Sequence, residues 1–216
     1  MKHYKGVFIT LEGSEGVGKT SSLKFVEQQI TALGHDVVTT REPGGTELAE
    51  QIRGILLAER QEPVESKTEL LMMFAARYQH VTQVIKPALE RGQWVICDRF
   101  VDASYAYQGG GRGIQVAQIE QLEHWCLEDF KPDLTLLLDM SVEEGLERTK
   151  KRGKADRFET EQLAFYENIR TAYLNRAKKD PQRMKIIDAA PSMQQVQKSI
   201  QQQLKSFVES YATPDL

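Results

Sequence analysis

An eight-residue glycine-rich segment sets the strongest limit on the architecture of this chain. Residues 13–20 read Gly-Ser-Glu-Gly-Val-Gly-Lys-Thr and fit the pattern G-x-x-x-x-G-K-[ST] at every position. The segment follows an apolar run and opens a helical pattern, which is the setting the pattern requires. Its glycines let backbone amides converge on phosphate oxygens, and the helix N-terminus adds positive potential. The alternative, a glycine-rich turn with an incidental lysine, does not account for the full match. We therefore expect a nucleoside triphosphate site here.

The rest of the chain alternates short apolar runs with longer amphipathic runs. This alternation predicts an α/β fold, with a five-stranded parallel sheet flanked by helices on both faces. In such sheets ligands bind outside the carboxyl ends of the strands. We find no linker or repeat, so residues 1–216 are predicted to form a single domain. The predicted strands are Val7–Leu11, Asp36–Thr40, Trp94–Cys97, Leu134–Leu138 and Met184–Ile187.

Helix boundaries are indicated by local signals. A helix over Lys19–Leu33 is expected to end before Gly34, and Pro87 is expected to kink or break the pattern that surrounds it. Three pairs have the capping-box spacing of a helix start: Ser66 with Glu69, Ser141 with Glu144, and Ser192 with Gln195.

Composition excludes several classes of protein. The formal net charge is −3 over 216 residues, so we expect no general basic surface for nucleic acid. Neither a signal-peptide core nor an apolar run of membrane-spanning length is present, which predicts a cytoplasmic protein without a membrane partner. Cys97 and Cys126 lack metal-ligand spacing and are expected to be free thiols.

One basic residue and one acidic residue near the predicted strand ends indicate a second substrate. Arg41 follows the second strand, and a guanidinium there could bind a monophosphate through two parallel hydrogen bonds. Glu15 lies in the glycine-rich segment, where a carboxylate beside triphosphate is repelled unless it faces another ligand. We interpret Glu15 as an acceptor for a substrate hydroxyl. A surface Arg41–Glu42 pair and a solvated Glu15 are the alternatives.

Four segments together give a resemblance to a known family. They are Arg41-Glu-Pro-Gly-Gly-Thr46, Asp98-Arg99, the run Ser104-Tyr-Ala-Tyr-Gln-Gly-Gly-Gly-Arg-Gly113, and Pro132-Asp-Leu-Thr135. With the glycine-rich segment they resemble thymidylate kinases of the bacterial type, which are P-loop nucleoside monophosphate kinases. The resemblance implies the reaction ATP + dTMP → ADP + dTDP with Mg²⁺, in dTTP synthesis. It also implies a homodimer, for which the apolar helix near Met72–Val84 is a candidate surface.

The metal ligand has two candidates by position. Asp98 and Asp139 both end an apolar strand, where a carboxylate can hold Mg²⁺. The resemblance favours Asp98 as the metal ligand together with Thr20, and places Arg99 against the acceptor and transferred phosphates. Asp139 is then a structural acid that leads a helix.

The resemblance also assigns the acceptor pocket. In this family, an arginine on a helix of the pocket contacts the thymine carbonyl. Arg77 corresponds to that arginine. The residue that stacks on the base corresponds to Met73 rather than an aromatic, so either Met73 or the adjacent Phe74 is expected to cover the ring. Tyr105 is expected either to exclude a ribose 2′-hydroxyl, as the resemblance implies, or to make a small apolar contact. The full set predicted for dTMP is Glu15, Arg41, Glu42, Pro43, Arg53, Met73, Phe74, Arg77, Arg99, Ser104, Tyr105 and Gln108.

A cation-rich run from Arg148 to Arg157 is interpreted as part of a lid over residues 148–160. Most such runs are solvated faces, but in this setting the run can supply positive charge to the transferring phosphoryl group. The predicted catalytic residues are Lys19, Arg99, Arg152 and Arg157. The predicted ATP-binding residues are Gly13, Ser14, Glu15, Gly16, Val17, Gly18, Lys19, Thr20, Ser21 and Arg148.

Two rival functions share most of these features. The nearer rival is another nucleoside or nucleotide kinase with the same P-loop, which would differ only in its acceptor pocket. The more distant rival is a regulatory nucleotide switch. The sequence lacks the N/T-K-x-D element that reads guanine in such switches, and this lack favours the kinase.

Overall fold

A parallel five-stranded sheet forms the centre of the computed structural model, which describes residues 4–150 and 162–212. The strand order is β2-β3-β1-β4-β5, and every pair is parallel. All five predicted strands are present, and each ends one residue later than predicted. The strands are β1 (Phe8–Glu12), β2 (Val37–Arg41), β3 (Trp94–Asp98), β4 (Leu134–Asp139) and β5 (Met184–Asp188).

Helices connect the strands and cover both faces of the sheet. They are α1 (Lys19–Ala32), α2 (Glu47–Leu57), α3 (Ser66–His80), α4 (Lys86–Glu90), α5 (Val101–Ser104), α6 (Val116–Leu127), α7 (Val142–Lys150), α8 (Leu163–Lys179) and α9 (Met193–Ala212). Two π-helical turns, Val81–Ile85 and Tyr105–Gly111, continue α3 and α5. The predicted break near Pro87 is confirmed: the π-helical turn precedes Pro87, whose ring cannot continue the α-helical hydrogen-bond pattern.

The predicted helix ends agree with the structure in part. The first helix ends as expected, with Gly34 in the left-handed region at φ 89°. The capping box predicted for Ser66 and Glu69 is wrong. Glu65 precedes the first turn of α3 and makes no side-chain cap, while Ser66 is already helical. Glu69 is instead fully buried and binds a side chain far along the sequence.

Each of the other two predicted pairs makes one of the two hydrogen bonds of a capping box. The Ser192 amide donates to Gln195 Oε1 at 3.1 Å, which stabilises the start of α9. The Glu144 amide donates to Ser141 Oγ at 3.4 Å at the start of α7.

Alternating strand residues supply two apolar layers. One layer packs Ile9 and Leu136 of the sheet against α1 and α9. The opposite layer packs Phe8 and Val95 against α3, α5 and α6. Because both faces are covered, the three central strands β1, β3 and β4 are buried along nearly their whole length, as expected inside a parallel sheet.

Strand register brings the functional segments to one edge. Leu11 of β1 and Arg41 of β2 both pair with Asp98 of β3. The glycine-rich loop, the segment after Arg41 and the Asp98-Arg99 pair therefore leave the sheet side by side. This is the carboxyl edge, where ligands bind in parallel α/β sheets.

Candidate active site

A cavity of about 530 Å³ opens at this carboxyl edge. Its described walls come from the glycine-rich loop, the ends of β2 and β3, and helices α2, α3, α5 and α7. The lining residues are Glu15, Gly16, Gly18, Lys19, Thr20, Ser21, Arg41, Glu42, Pro43, Arg53, Leu56, Leu57, Met73, Asp98, Arg99, Ala103, Tyr107, Gln108 and Arg148. Most of the predicted site residues are thus brought together.

The glycine-rich loop has the backbone that its sequence predicts. Gly18, immediately before α1, has φ 88°, and Gly16 has φ 78°. A Cβ on Gly16 would lie 1.9 Å from the carbonyl oxygen of Gly145, so only glycine fits there. The Lys19 ammonium donates to the carbonyl oxygens of Gly13 and Ser14 at 3.1 and 2.8 Å. Burial and the nearby Arg99 lower the pKa of Lys19.

Three loop residues that are predicted to bind ATP are not among the residues that line the cavity. Val17 packs in the apolar layer of α1 and α9. Gly13 and Ser14 lie in the loop beside the cavity walls. Any contact of these three with phosphate would therefore come through the backbone, as the loop chemistry requires.

Two oxygen-bearing side chains that could hold Mg²⁺ face the cavity. Thr20 and Asp98 both line the cavity. Asp98 Oδ1 is buried and has no hydrogen-bond partner among the described residues. An orphaned buried carboxylate oxygen is costly unless a cation or donor meets it. Hard oxygen ligands of this kind suit Mg²⁺, which commonly binds through one or two protein oxygens and the substrate phosphates.

The Arg99 guanidinium contacts both the glycine-rich loop and the Tyr107 ring. Its Nη1 donates to the Gly13 carbonyl at 2.8 Å, and its Nη2 donates to Glu15 Oε1 at 2.5 Å. The guanidinium also lies 4.7 Å from the centre of the Tyr107 ring. The backbone of Arg99 is left-handed, with φ 67°. Such strain in a non-glycine residue costs about 1–3 kcal/mol and is concentrated at functional sites.

A buried acid that the sequence analysis missed lies behind Arg99. Glu12 ends β1, and its oxygens accept hydrogen bonds from the Phe100 amide and the Tyr173 hydroxyl, both at 2.7 Å. Arg99 Nη1 in turn donates to the Tyr173 hydroxyl at 3.3 Å. Burial, with a further contribution from the Asp102 carboxylate, raises the pKa of Glu12 to about 8. The position of Glu12 directly before the loop is the signal that could have identified it.

Arg77 is fully buried and supports the cavity wall from behind. Its Nε donates to Glu42 Oε2 at 2.7 Å, and its Nη1 donates to Ser104 Oγ at 2.9 Å. A third bond runs to the Phe100 carbonyl at 3.0 Å. On the other Glu42 oxygen, His80 Nδ1 lies 3.0 Å from Oε1. Arg77 and Ser104 were predicted to touch the base, but neither lines the cavity in this structure.

Met73 rather than Phe74 faces the cavity. Met73 is among the lining residues, whereas Phe74 is buried in the apolar layer beside α6. The Arg77 guanidinium lies 4.8 Å from the centre of the Phe74 ring, which gives that ring a partner inside the protein. Of the two residues predicted to cover the base, only Met73 therefore faces the cavity in this structure.

Tyr105, one of the residues predicted for the acceptor pocket, is not among the described residues that line the cavity. Tyr105 is buried on the far side of its helix, where its hydroxyl donates to Glu123 and its ring lies 3.8 Å from the Arg176 guanidinium. Tyr107, two residues later, lines the cavity instead. Its hydroxyl donates to Glu15 Oε1 at 2.8 Å.

The two predicted arginines of the acceptor side both line the cavity. Arg41 is about half exposed and donates to Glu50 Oε2 at 2.9 Å. Arg53 of α2 donates to the Pro43 carbonyl at 3.1 Å. Both guanidiniums are therefore oriented by groups of the chain at the open side of the cavity, where they can meet an anionic ligand.

At the other end of the cavity, Arg148 of α7 bridges to the loop after β5. It donates to the carbonyl oxygens of Ala189 and Ala190 at 3.0 and 2.9 Å. The predicted lid residues Arg152 and Arg157 lie outside the described residues. Asp139, the other candidate metal ligand, accepts two hydrogen bonds from Arg170 at 2.8 and 3.0 Å, in line with the structural role expected of it.

The fold and the cavity define a P-loop nucleotide-binding enzyme of the kinase type, and comparison with known proteins gives its family. A model of the family described as "Thymidylate kinase" matches residues 11–200. A thymidylate kinase of Pseudomonas syringae is 52% identical over 204 residues, covering 94% of this chain and 97% of the relative. One of Teredinibacter turnerae is 51% identical over 203 residues, covering 94% and 99%. The chain belongs to the thymidylate kinase family.

A solved structure supports the same placement. The crystal structure of a thymidylate kinase from Ehrlichia chaffeensis aligns with a TM-score of 0.76 at 33% sequence identity. The alignment covers 93% of this chain and 98% of that one. The predicted fold, family and enzyme class are therefore confirmed.

Proposed function

We propose that this protein transfers the γ-phosphoryl group of ATP to dTMP, giving ADP and dTDP for dTTP synthesis. The observation that carries the proposal is that one cavity is lined by Lys19 of the phosphate loop, by Arg99 and by Gln108. Arg99 also donates to the Gly13 carbonyl and to Glu15 of the loop. We infer that two anionic nucleotides bound end to end in this cavity would meet at this guanidinium.

Catalysis in this arrangement is alignment and charge neutralisation. The acceptor phosphate oxygen is already a competent nucleophile, so no covalent intermediate is needed. Lys19 neutralises charge on the β- and γ-phosphates, and Arg99 neutralises charge on the transferring group. Arg41 and Arg53 bind the acceptor phosphate from the open side. Thr20 and Asp98 would hold Mg²⁺, which would supply positive charge to the donor phosphates.

The acceptor nucleoside is placed by the opposite wall. We propose that Met73 covers the base, Gln108 reads its edge, and Glu15 accepts a hydrogen bond from the deoxyribose. The Tyr107 hydroxyl is bound to Glu15, so its ring lies beside the same sugar position and leaves little room for a 2′-hydroxyl. Arg148 packs beside adenine at the donor end.

Two further features belong to the proposal. Residues 1–216 act as one kinase domain, in which a lid over residues 148–160 supplies Arg152 and Arg157 to the transferring phosphoryl group. We also propose a cytoplasmic location. In support, Cys97 and Cys126 are free thiols, as expected in a reducing compartment. Within residues 4–150 and 162–212, no helix has the length and apolar character needed to cross a bilayer.

A homodimer would cover an apolar face formed by α3 and α6. Leu71 and Tyr78 of α3 are 56% and 52% exposed, and Trp125 of α6 is 80% exposed. Large exposed apolar side chains grouped on neighbouring helices mark interaction surfaces. Sedimentation velocity tests this part: Trp125→Glu should shift the protein from dimer to monomer, and a monomeric wild-type protein would contradict it.

A coupled assay of ADP release tests the reaction itself. With ATP and Mg²⁺, turnover is expected with dTMP and is expected to be far slower with UMP or AMP. A kinase of the same fold with another acceptor would show turnover with a different monophosphate. A regulatory switch would bind ATP without rapid turnover of any of them.

A further inference from the structure

The Gln108 side chain leaves one hydrogen-bonding atom for a ligand. Gln108 is fully buried and lines the acceptor end of the cavity. Its Nε2 donates a 2.8 Å hydrogen bond to Glu69 Oε1. Its Oε1 has no hydrogen-bond partner within the part of the chain that the structure describes. A buried amide oxygen in this state is costly unless a ligand donor meets it.

Glu69 determines which end of the Gln108 amide is engaged. A carboxylate only accepts hydrogen bonds, so it binds the NH₂ end of the amide and repels the oxygen end. Glu69 is itself fully buried on α3, and Arg112 Nε lies 3.5 Å from its Oε1. The Arg112 guanidinium is supported in turn, 4.6 Å from the centre of the Phe165 ring. This arrangement holds the charged carboxylate against the amide.

We propose that Glu69 is a positioning residue that determines base selectivity by fixing the Gln108 amide with its oxygen available to the ligand. The inference rests on the proposed function, because the ligand is taken to be a pyrimidine monophosphate. Thymine carries a hydrogen on N3 and can donate to that oxygen, whereas cytosine carries a lone pair on N3 and is repelled. Glu69 does not line the cavity, so it acts through Gln108.

The variant Glu69→Gln tests this role with a side chain of the same shape. A glutamine at this position can donate as well as accept, so the Gln108 amide is free to reverse and turn its NH₂ group toward the ligand. The ratio of kcat/KM for dTMP to that for dCMP should fall at least about tenfold. This is the size expected when a favourable hydrogen bond to thymine is lost and an unfavourable contact with cytosine is relieved. The change should appear mainly in KM, because the base lies away from the reacting phosphates.

Two comparisons separate selectivity from general damage. Glu65→Gln makes the same charge change on an exposed residue next to the start of the same helix, and it should leave the ratio unchanged. Gln108→Met removes the amide and should also lower the ratio. In the Gln108→Met background, Glu69→Gln should have no further effect on the ratio, because the two residues act as one unit.

Each outcome decides the question. A folded Glu69→Gln protein with an unchanged ratio overturns the proposal, as does an effect of Glu69→Gln that persists in the Gln108→Met background. If Glu69→Gln does not fold, an unchanged ratio in Gln108→Met alone overturns it. Failure of wild-type protein to phosphorylate dTMP is a separate result that overturns the proposed function. Calorimetric binding of thymidine and deoxycytidine to the same variants would then still test Glu69.

Discussion

Glu12 should give the folded protein a calculable dependence on pH. The side chain is fully buried at the end of β1 and lies between the Phe100 amide and the Tyr173 hydroxyl. Burial first, and the Asp102 carboxylate second, raise the pKa of Glu12 from 4.5 to about 8. The unfolded chain ionises at the ordinary value. Between these two values the folded state therefore holds a proton that the unfolded state has lost.

The sign of the effect follows from this difference in bound protons. Because the folded state binds more protons in the window, the free energy of unfolding decreases as pH rises from about 4.5 to about 8. Each pKa unit is worth about 1.4 kcal/mol. Between pH 6 and pH 9, the Glu12 carboxyl should lower the free energy of unfolding by about 3 kcal/mol, with most of the change complete near pH 8.

The variant Glu12→Gln isolates this contribution. Glutamine is neutral at every pH, can accept from the Phe100 amide and can donate to the Tyr173 hydroxyl. Urea unfolding of both proteins at pH 6, 7, 8 and 9 gives the difference in their free energies of unfolding, in which the other titrating groups cancel. We expect wild type to lose about 3 kcal/mol relative to the variant across this range. The exposed Glu120→Gln serves as a control and should show no such trend.

A constant difference between wild type and Glu12→Gln from pH 6 to pH 9 would refute the reasoning. It would mean that Glu12 is already ionised at pH 6 in both the folded and the unfolded state. The Tyr173 hydroxyl, the Phe100 amide and the nearby Arg99 would then offset most of the cost of burial.

Three other substitutions test the remaining parts of the site. Lys19→Met should lower kcat on the order of 10²–10³-fold in the coupled assay, because it removes a preorganised cation from the phosphates; an unchanged kcat would exclude that role. Gly16→Ala should abolish calorimetric binding of ATP, since its Cβ would lie 1.9 Å from a carbonyl oxygen of α7. Gly34→Ala has a similar positive φ with open space around it and should retain binding. Arg77→Met should lower the free energy of unfolding by about 3–5 kcal/mol, because it removes one partner of a buried charge pair. Adding Glu42→Gln should restore part of the loss, and full additivity would contradict the pairing.

The fold could be predicted because its signals are local. Apolar runs such as Leu134–Leu138 can only be buried strands at this length between turn residues, and the glycine-rich loop carries its own backbone requirement at Gly16 and Gly18. The carboxyl edge then follows from parallel topology without further information. This is why Lys19 and Thr20 could be assigned to the site from local pattern, whereas the choice of Asp98 over Asp139 came from the family resemblance.

The errors arise where a long-range contact outweighs a local preference. The spacing of Ser66 and Glu69 is right for a capping box, but Glu69 binds Gln108, which is 39 residues away. The expectation that Tyr105 reaches the cavity fails for a related reason. Residues two positions apart on a helix point to nearly opposite sides. Tyr105 lies on the side that packs against α6 and α8, so it is Tyr107 that reaches the cavity. No local pattern records that packing.

In the proposed reaction, Arg99 would let a chain of net negative charge hold two anionic nucleotides. The guanidinium is oriented by the Gly13 carbonyl, by Glu15 and by the Tyr107 ring. The strained backbone at φ 67° fixes its direction from the sheet. A phosphate that reaches Arg99 therefore meets a cation whose rotamer freedom is already lost, so binding does not have to order it. The Glu15 carboxylate is then part of the anion site, because it holds the Arg99 guanidinium in place until a phosphate binds.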